Sequence, residues 1–290
     1  MTLIARFQTI ILGAVFILPF PLQATTVVVA ITDDGIVMGS DSKTVNKSSD
    51  FSSLGELTTE KLIVIQGHIV IACLGVRSVG GGLGHYDFAT WIRRLQLELP
   101  SDVSVDQFSR VIEQETARVF STFNTLLESD SVKKQEPDET CRTFIQYLIA
   151  GYQAGMPRLY EVRFYIDWNS KNLVGPTRIM LYPDPKDIGD FHVKMYGMKE
   201  VIAEVNNQNS YAYKQTMARL PEIFGKLIFH RGHVSIDETI SLIQVLIQIE
   251  EETNPSDVGG DAQIVKILPD GKAYSVVKGL SESTGAEKKQ

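Results

Sequence analysis

Apolar runs broken by short polar turns dominate the first quarter of the chain. Residues 26–31 are β-branched and aliphatic, Asp34-Gly35 is a tight-turn signal, and residues 36–38 return as a second apolar run, which predicts a hairpin. Residues 42–60 are polar, with Lys43, Asn46, Lys47, Glu56 and a serine cluster, and read as a loop or a pair of irregular edge strands. Residues 61–65, a turn at Gln66-Gly67-His68 and residues 69–74, ending at Gly75, predict a second hairpin. Both hairpins are apolar enough to be covered on two faces.

The period then changes. A helix is predicted over about residues 81–97 through His85, Phe88, Trp91, Ile92 and Leu95; the glycines before it suggest close backbone packing, since no phosphate-loop pattern is present. A second helix opens on a capping box, Ser104 to Gln107, and presents Phe108, Ile112, Val119, Phe123 and Leu126 at helical spacing. Strands are predicted over 144–152, 158–166, 177–182 and 191–196, and helices over 199–206 and 211–228. A further helix begins at a second capping box, Ser235 to Glu238, with Ile236, Ile240, Ile243 and Ile247 on one face, and stops before Asn254-Pro255. A last hairpin spans 262–268 and 273–277 around Asp270-Gly271. Helices grouped between hairpins predict an α+β domain, a four-layer αββα sandwich of two antiparallel sheets. No repeat or linker divides residues 25–278, and residues 279–290 read as a polar tail.

Composition narrows the classes. The 290 residues carry a formal charge of -7 with no basic stripe, which argues against nucleic acid and anionic membranes as partners. The two cysteines, Cys73 and Cys141, form no CxxC; Cys73 sits in an apolar run and reads as a buried thiol, with pairing left open. The five histidines show no ligand spacing, and His230 and His233 read as loop residues, so neither metal nor cofactor is expected.

Residues 1–24 read as a secretory signal peptide. Arg6 supplies the positive region, residues 7–20 the apolar core, and Leu22-Gln23-Ala24 a small-residue cleavage site. The apolar core is short for a membrane span of roughly 20 residues, which favours cleavage over anchoring. The expected location is secreted or periplasmic, with no membrane attachment after the cut. Cleavage after Ala24 makes Thr25 the first residue, with a hydroxyl nucleophile and a free α-amine, its potential base, on one residue.

Thr25 to Asp41 (Thr-Thr-Val-Val-Val-Ala-Ile-Thr-Asp-Asp-Gly-Ile-Val-Met-Gly-Ser-Asp), the Lys-Leu-Ile-Val-Ile run from Lys61, and Ala72-Cys73-Leu74-Gly75 together resemble the start of a proteasome β-type subunit. The bacterial ATP-dependent threonine protease ring subunit is of the same family. The resemblance implies an N-terminal-nucleophile hydrolase fold, with Thr25 as nucleophile, Asp41 and Lys61 as the catalytic aspartate and lysine, and Gly75 as the oxyanion glycine. It implies a substrate pocket lined by Thr44, Thr59, Ile63, Cys73 and Arg77, and a ring-forming homo-oligomer as a possible assembly. Arg77 hints at a carboxylate-bearing substrate group or a salt bridge to a neighbour. Two places depart from the family. Met198 follows Gly197 where the family has a serine, and Pro255-Ser256-Asp257-Val258-Gly259-Gly260 stands where it has an Asp…Ser-Gly-Gly turn. Ser256 and Asp257 are then the candidate polar partners of the threonine amine.

The chemistry is coherent on the residues themselves. A threonine hydroxyl needs a base. A free α-amine titrates at roughly 7.7–8.0, near the operating pH, and a charged Lys61 close by would depress that value and keep the amine neutral. Asp41 would hold Lys61 as an ion pair, and the Gly75 N–H would face a developing oxyanion. The expected activity is an exported threonine-dependent peptidase or amide hydrolase working through an acyl-enzyme. Without ATP or an unfolding ring outside the cell, a small peptide or acylated amide is a more natural substrate than a folded protein. The alternatives are a catalytically weak or inactive structural or binding protein that keeps the fold, and an acylase-type amidase.

Overall fold

The computed structural model describes residues 26–47, 53–58, 60–75, 78–79, 86–120, 141–167, 172–183, 191–197, 201–229, 232–256 and 258–276. The chain opens with β1 (Thr26–Thr32), β2 (Gly35–Ser40), β3 (Lys43–Lys47), β4 (Ser53–Thr58), β5 (Leu62–Ile65), β6 (Ile69–Gly75), β7 (Ser78–Val79) and β8 (Tyr86–Asp87). Helices α1 (Phe88–Glu98) and α2 (Val105–Phe120) follow, then β9 (Cys141–Gln153), β10 (Met156–Asp167), β11 (Asn172–Tyr182) and β12 (Phe191–Gly197). Helices α3 (Tyr211–Arg219), α4 (Pro221–Phe229) and α5 (Ile236–Thr253) precede β13 (Gln263–Ile267) and β14 (Ala273–Val276).

The strands build two five-stranded antiparallel sheets, ordered β12-β1-β2-β13-β14 and β11-β10-β9-β6-β5. Side-chain alternation along each strand explains the layering. In β1, Val27, Val29 and Ile31 pack with Leu62, Val70, Ala72, Leu74, Leu148 and Ala150 of the other sheet. Val28 and Ala30, on the opposite face, pack with Ile240, Ile243 and Ile247 of α5. In β6 and β9, Ile71, Cys73, Tyr147 and Ile149 turn the other way, onto Phe88, Trp91 and Ile92 of α1 and Phe108 and Ile112 of α2. Each central strand is therefore covered twice, as its unbroken apolar sequence requires. Gly39 records how close α5 comes: a Cβ there would stand 2.2 Å from Ile243 Cγ2.

Both capping boxes form. Ser104 and Gln107 exchange side-chain to backbone hydrogen bonds, and Ser235 and Glu238 do the same. Three boundaries depart from expectation. The first helix starts at Phe88 rather than near residue 81, because Asp87 caps it by accepting from the Thr90 N–H at 2.9 Å, and Tyr86–Asp87 is a short strand. The helix expected over 211–228 is two, because Pro221 has no N–H to continue the first ladder and instead opens α4. The helix expected over 199–206 is, among its described residues, a single 3-10 turn, Ile202–Glu204, whose first N–H is taken by Glu250 Oε2 at 3.1 Å. The glycine cluster before α1, the 279–290 tail and residues 1–24 lie outside the described residues. Among the described residues no helix is long and apolar enough to cross a membrane.

Candidate active site

Six strand ends meet at one end of the paired sheets. In the first sheet Thr26 opposes Gly197, Val27 opposes Ser40, and Ser40 opposes Gln263. This register brings together the start of β1, the ends of β2 and β12, and the start of β13. In the second sheet the Cys73 N–H donates to the Lys61 carbonyl at 3.4 Å, so β6 runs past the start of β5 and Gly75 lies beyond Lys61. Gly75 has φ +84°, a conformation that favours glycine.

Asp41 and Lys61 occupy this junction. The Lys61 Nζ donates to Asp41 Oδ2 at 2.7 Å, and both side chains are 0% exposed. Asp41 Oδ1 accepts the Thr26 N–H at 2.8 Å. The Gly259 N–H is a further donor to the same carboxyl. Burial pushes the Asp41 carboxyl above its ordinary range, while the Lys61 ammonium and the two backbone N–H groups pull against that shift. A buried ion pair is weak support for stability on its own, because desolvating both charges costs several kcal/mol per ion. Its presence at the end of β1 places a fixed positive charge, held by a carboxylate, beside the main-chain nitrogen of Thr26.

The turn before β13 closes on this pair by backbone. The Gly259 carbonyl accepts the N–H groups of Ser42 and Lys43 at 3.2 and 2.8 Å, and Lys43 Nζ donates to the Pro255 carbonyl at 2.6 Å. Gly260 has φ +74°, and a Cβ there would lie 2.5 Å from Ser42 Oγ, itself buried without a hydrogen-bond partner among the described residues. Contact explains Gly260, which lets the turn lie flat against Ser42, while a Cβ at Gly259 would meet the side chains of Glu251 and Lys43 at 3.2 and 3.3 Å. Ser256 is exposed on the turn, and Val258 is buried.

Thr25, Asp257, Thr59, Arg77 and Met198 lie outside the described residues. Thr44 lies in β3 opposite Leu57. Ile63 and Cys73 are 2% and 0% exposed, closed in with Phe88, Trp91 and Tyr147. Phe88 and Trp91 stack and tilt against Tyr147 with ring centroids 5.9 and 5.8 Å away. Cys73 is a buried thiol. A cavity of about 730 Å³ lies on the helix-covered face of the first sheet, lined by Val193, Met195, Phe224 and Leu246. Among the described residues no group of three or more His, Cys, Asp or Glu is arranged to hold a metal ion.

Two residues of the site had no role assigned from the sequence: Gly259, within the turn singled out by the resemblance, and Gln263. Gly259 acts through its main chain. Gln263 Oε1 accepts the Lys61 N–H at 2.8 Å and the Leu62 N–H at 3.3 Å, a contact across about two hundred positions of chain. Neither the protein-family models nor the curated proteins compared with this chain give a match.

Proposed function

We propose that this protein is an exported N-terminal-threonine hydrolase of the proteasome-type αββα sandwich, acting on small peptides or acylated amides. The observation that carries the reading is the fully buried Asp41–Lys61 pair, 2.7 Å apart, whose carboxylate also accepts the Thr26 N–H. Thr25 is bonded to that same nitrogen, and its Cα is one peptide step, about 3.8 Å, from the Cα of Thr26. Removal of residues 1–24 would expose an α-amine one residue from the ion pair.

In this reading the Thr25 α-amine takes the proton of the Thr25 hydroxyl as Oγ attacks the substrate carbonyl carbon. The Lys61 charge keeps the amine neutral in the resting state and favours the developing negative charge. The tetrahedral intermediate collapses, the C–N bond breaks, and the departing amine takes the proton. Water then attacks the Thr25 ester, with the amine again as base, and releases the acid. The Gly75 end of β6 is the candidate for oxyanion donation, since the glycine leaves room for a substrate backbone. A ring-forming homo-oligomer is part of the same proposal, by resemblance.

The test is turnover of fluorogenic peptides and N-acyl amides by the exported wild type and by Thr25→Ala. Turnover that disappears in Thr25→Ala supports the reading, and the preferred panel separates peptidase from acylase-type amidase. Turnover that persists in Thr25→Ala refutes it. The binding-protein reading has one observation in its favour: the sequence has Met198, without a hydroxyl, where the resembled family has a serine. It expects neither panel to be cleaved.

A further inference from the structure

The Gln263 side chain holds the Lys61 backbone from the opposite sheet. Its own position is set in the first sheet, where β13 pairs with β2 and Gln263 stands opposite Ser40, the residue before Asp41. Its carboxamide crosses to the second sheet and accepts two successive N–H groups, Lys61 at 2.8 Å and Leu62 at 3.3 Å. Both partners are backbone donors, so the amide atom facing them is the oxygen, with one lone pair for each bond. The strand it caps, β5, is the edge of its sheet. Gln263 therefore satisfies two successive amides at the start of that edge strand.

The consequence is geometric. Asp41 is fixed by the first sheet, through the Thr26 and Gly259 N–H groups. Lys61 belongs to the second. The distance between their side chains depends on how the two sheets are registered at this end, and Gln263 spans that gap one residue from Asp41 and directly onto Lys61. We propose that Gln263 is a positioning residue for the threonine chemistry: by fixing the backbone of Lys61 against the strand that carries Asp41, it sets where the Lys61 ammonium stands relative to the Thr25 amine. This inference rests on the hydrolase reading above.

The substitutions Gln263→Leu and Gln263→Asn separate it from general packing. Leucine keeps the bulk and removes the acceptor; asparagine keeps the amide but is one methylene too short to reach. Gln263→Glu retains an acceptor oxygen for both bonds. The readout is the rate of covalent labelling by a peptide epoxyketone as a function of pH, alongside hydrogen exchange at the Lys61 and Leu62 amides. Misplacing a group by about 1 Å commonly costs about 100-fold, and both Gln263→Leu and Gln263→Asn are expected to label about that much more slowly. With the ammonium displaced, the Thr25 amine is depressed less, so the acid limb of the rate profile moves to higher pH, by about one unit. The two amides lose protection in both variants, and Gln263→Glu recovers most of the rate. A folded Gln263→Leu with unchanged rate and unchanged pH profile overturns the inference. So does a Gln263→Glu as impaired as Gln263→Leu, or a uniform loss of rate with the pH limb unmoved. Wild-type protein that shows no Thr25-dependent labelling fails at the earlier step and overturns the hydrolase reading with it.

Discussion

Replacing Lys61 with methionine removes the ammonium but keeps an unbranched apolar stem, so the substitution isolates the charge. Among the described residues the wild-type Asp41 has three donors: the Lys61 Nζ at 2.7 Å and the N–H groups of Thr26 and Gly259. Lys61→Met leaves an anion that is 0% exposed with two neutral donors. Breaking a buried pair in this way costs about 3–5 kcal/mol. The site has one escape, which is to bind a proton. Protonating an ordinary aspartate of about 3.9 at pH 7 costs about 4 kcal/mol, and burial already raises the wild-type carboxyl, so about 4 kcal/mol is the ceiling of the penalty. The sign follows from linkage. With Lys61 gone the folded-state pKa of Asp41 rises further above its unfolded value, so the variant's deficit is small at and below the unfolded pKa and grows as pH rises. The deficit is expected to fall from at most about 4 kcal/mol at pH 7 to at most about 1.5 at pH 5. At pH 7 that is a melting-temperature loss of about 8–16 °C for a domain of this size. The double variant Asp41→Asn/Lys61→Met has no buried charge and keeps an acceptor for the Thr26 N–H. Its deficit should be within about 2 kcal/mol of wild type and flat with pH. Thermal melts of the three proteins at pH 5, 6 and 7 provide the test. A Lys61→Met deficit below about 1 kcal/mol at pH 7, or one that does not change with pH, would refute the reasoning.

Three further substitutions probe the scaffold and the turn. Gly260→Ala forces a side chain onto φ +74° and brings a Cβ within 2.5 Å of Ser42 Oγ; it should cost about 1–3 kcal/mol and slow epoxyketone labelling, because the Gly259 donor moves with it. Gly39→Ala places a Cβ 2.2 Å from Ile243 Cγ2 and 3.2 Å from Ile247 Cδ1, so α5 must lift from β2; chemical denaturation should show a loss of about 1–3 kcal/mol. Glu238→Ala removes half of the α5 capping box and the partner of Lys226, with an expected cost of about 1 kcal/mol at pH 7. The Lys226 hydrogen bond and then the Ser235 N–H hold the Glu238 carboxyl below its usual 4.5. That contribution is present above the unfolded value and is lost as pH falls through the folded one, so wild type and Glu238→Ala should converge in melts as the pH is taken progressively below 4.5.

The parts of the fold governed by local pattern were legible in the sequence. Residues 26–31 and 69–74 are apolar at every parity, and both hairpins are covered on two faces, as that predicts. The two capping boxes form because their residues are three apart and need nothing from the rest of the chain. Pro221 was visible and its effect was underestimated: the apolar spacing on either side continues, but the ladder cannot. The 199–206 segment shows the reverse failure, since the Ile202 N–H is captured by Glu250, buried on a helix far along the chain. At the site, Asp41 and Lys61 were singled out through the family resemblance of the first strands, and the structure brings them to 2.7 Å. Gly259 was named only as part of a turn and Gln263 not at all, because one donates through its main chain and the other bonds main-chain amides, so side-chain identity at their partners records nothing.

The central claim, that Thr25 is a free N-terminal nucleophile beside the Asp41–Lys61 pair, is tested most directly by intact mass of the exported protein before and after treatment with a peptide epoxyketone. That reagent needs a hydroxyl and a free amine on the same residue. The account predicts a mature chain beginning at Thr25 and one adduct, absent from Thr25→Ala. A mature chain that retains residues 1–24, or that carries no adduct when Thr25 is first, would contradict it.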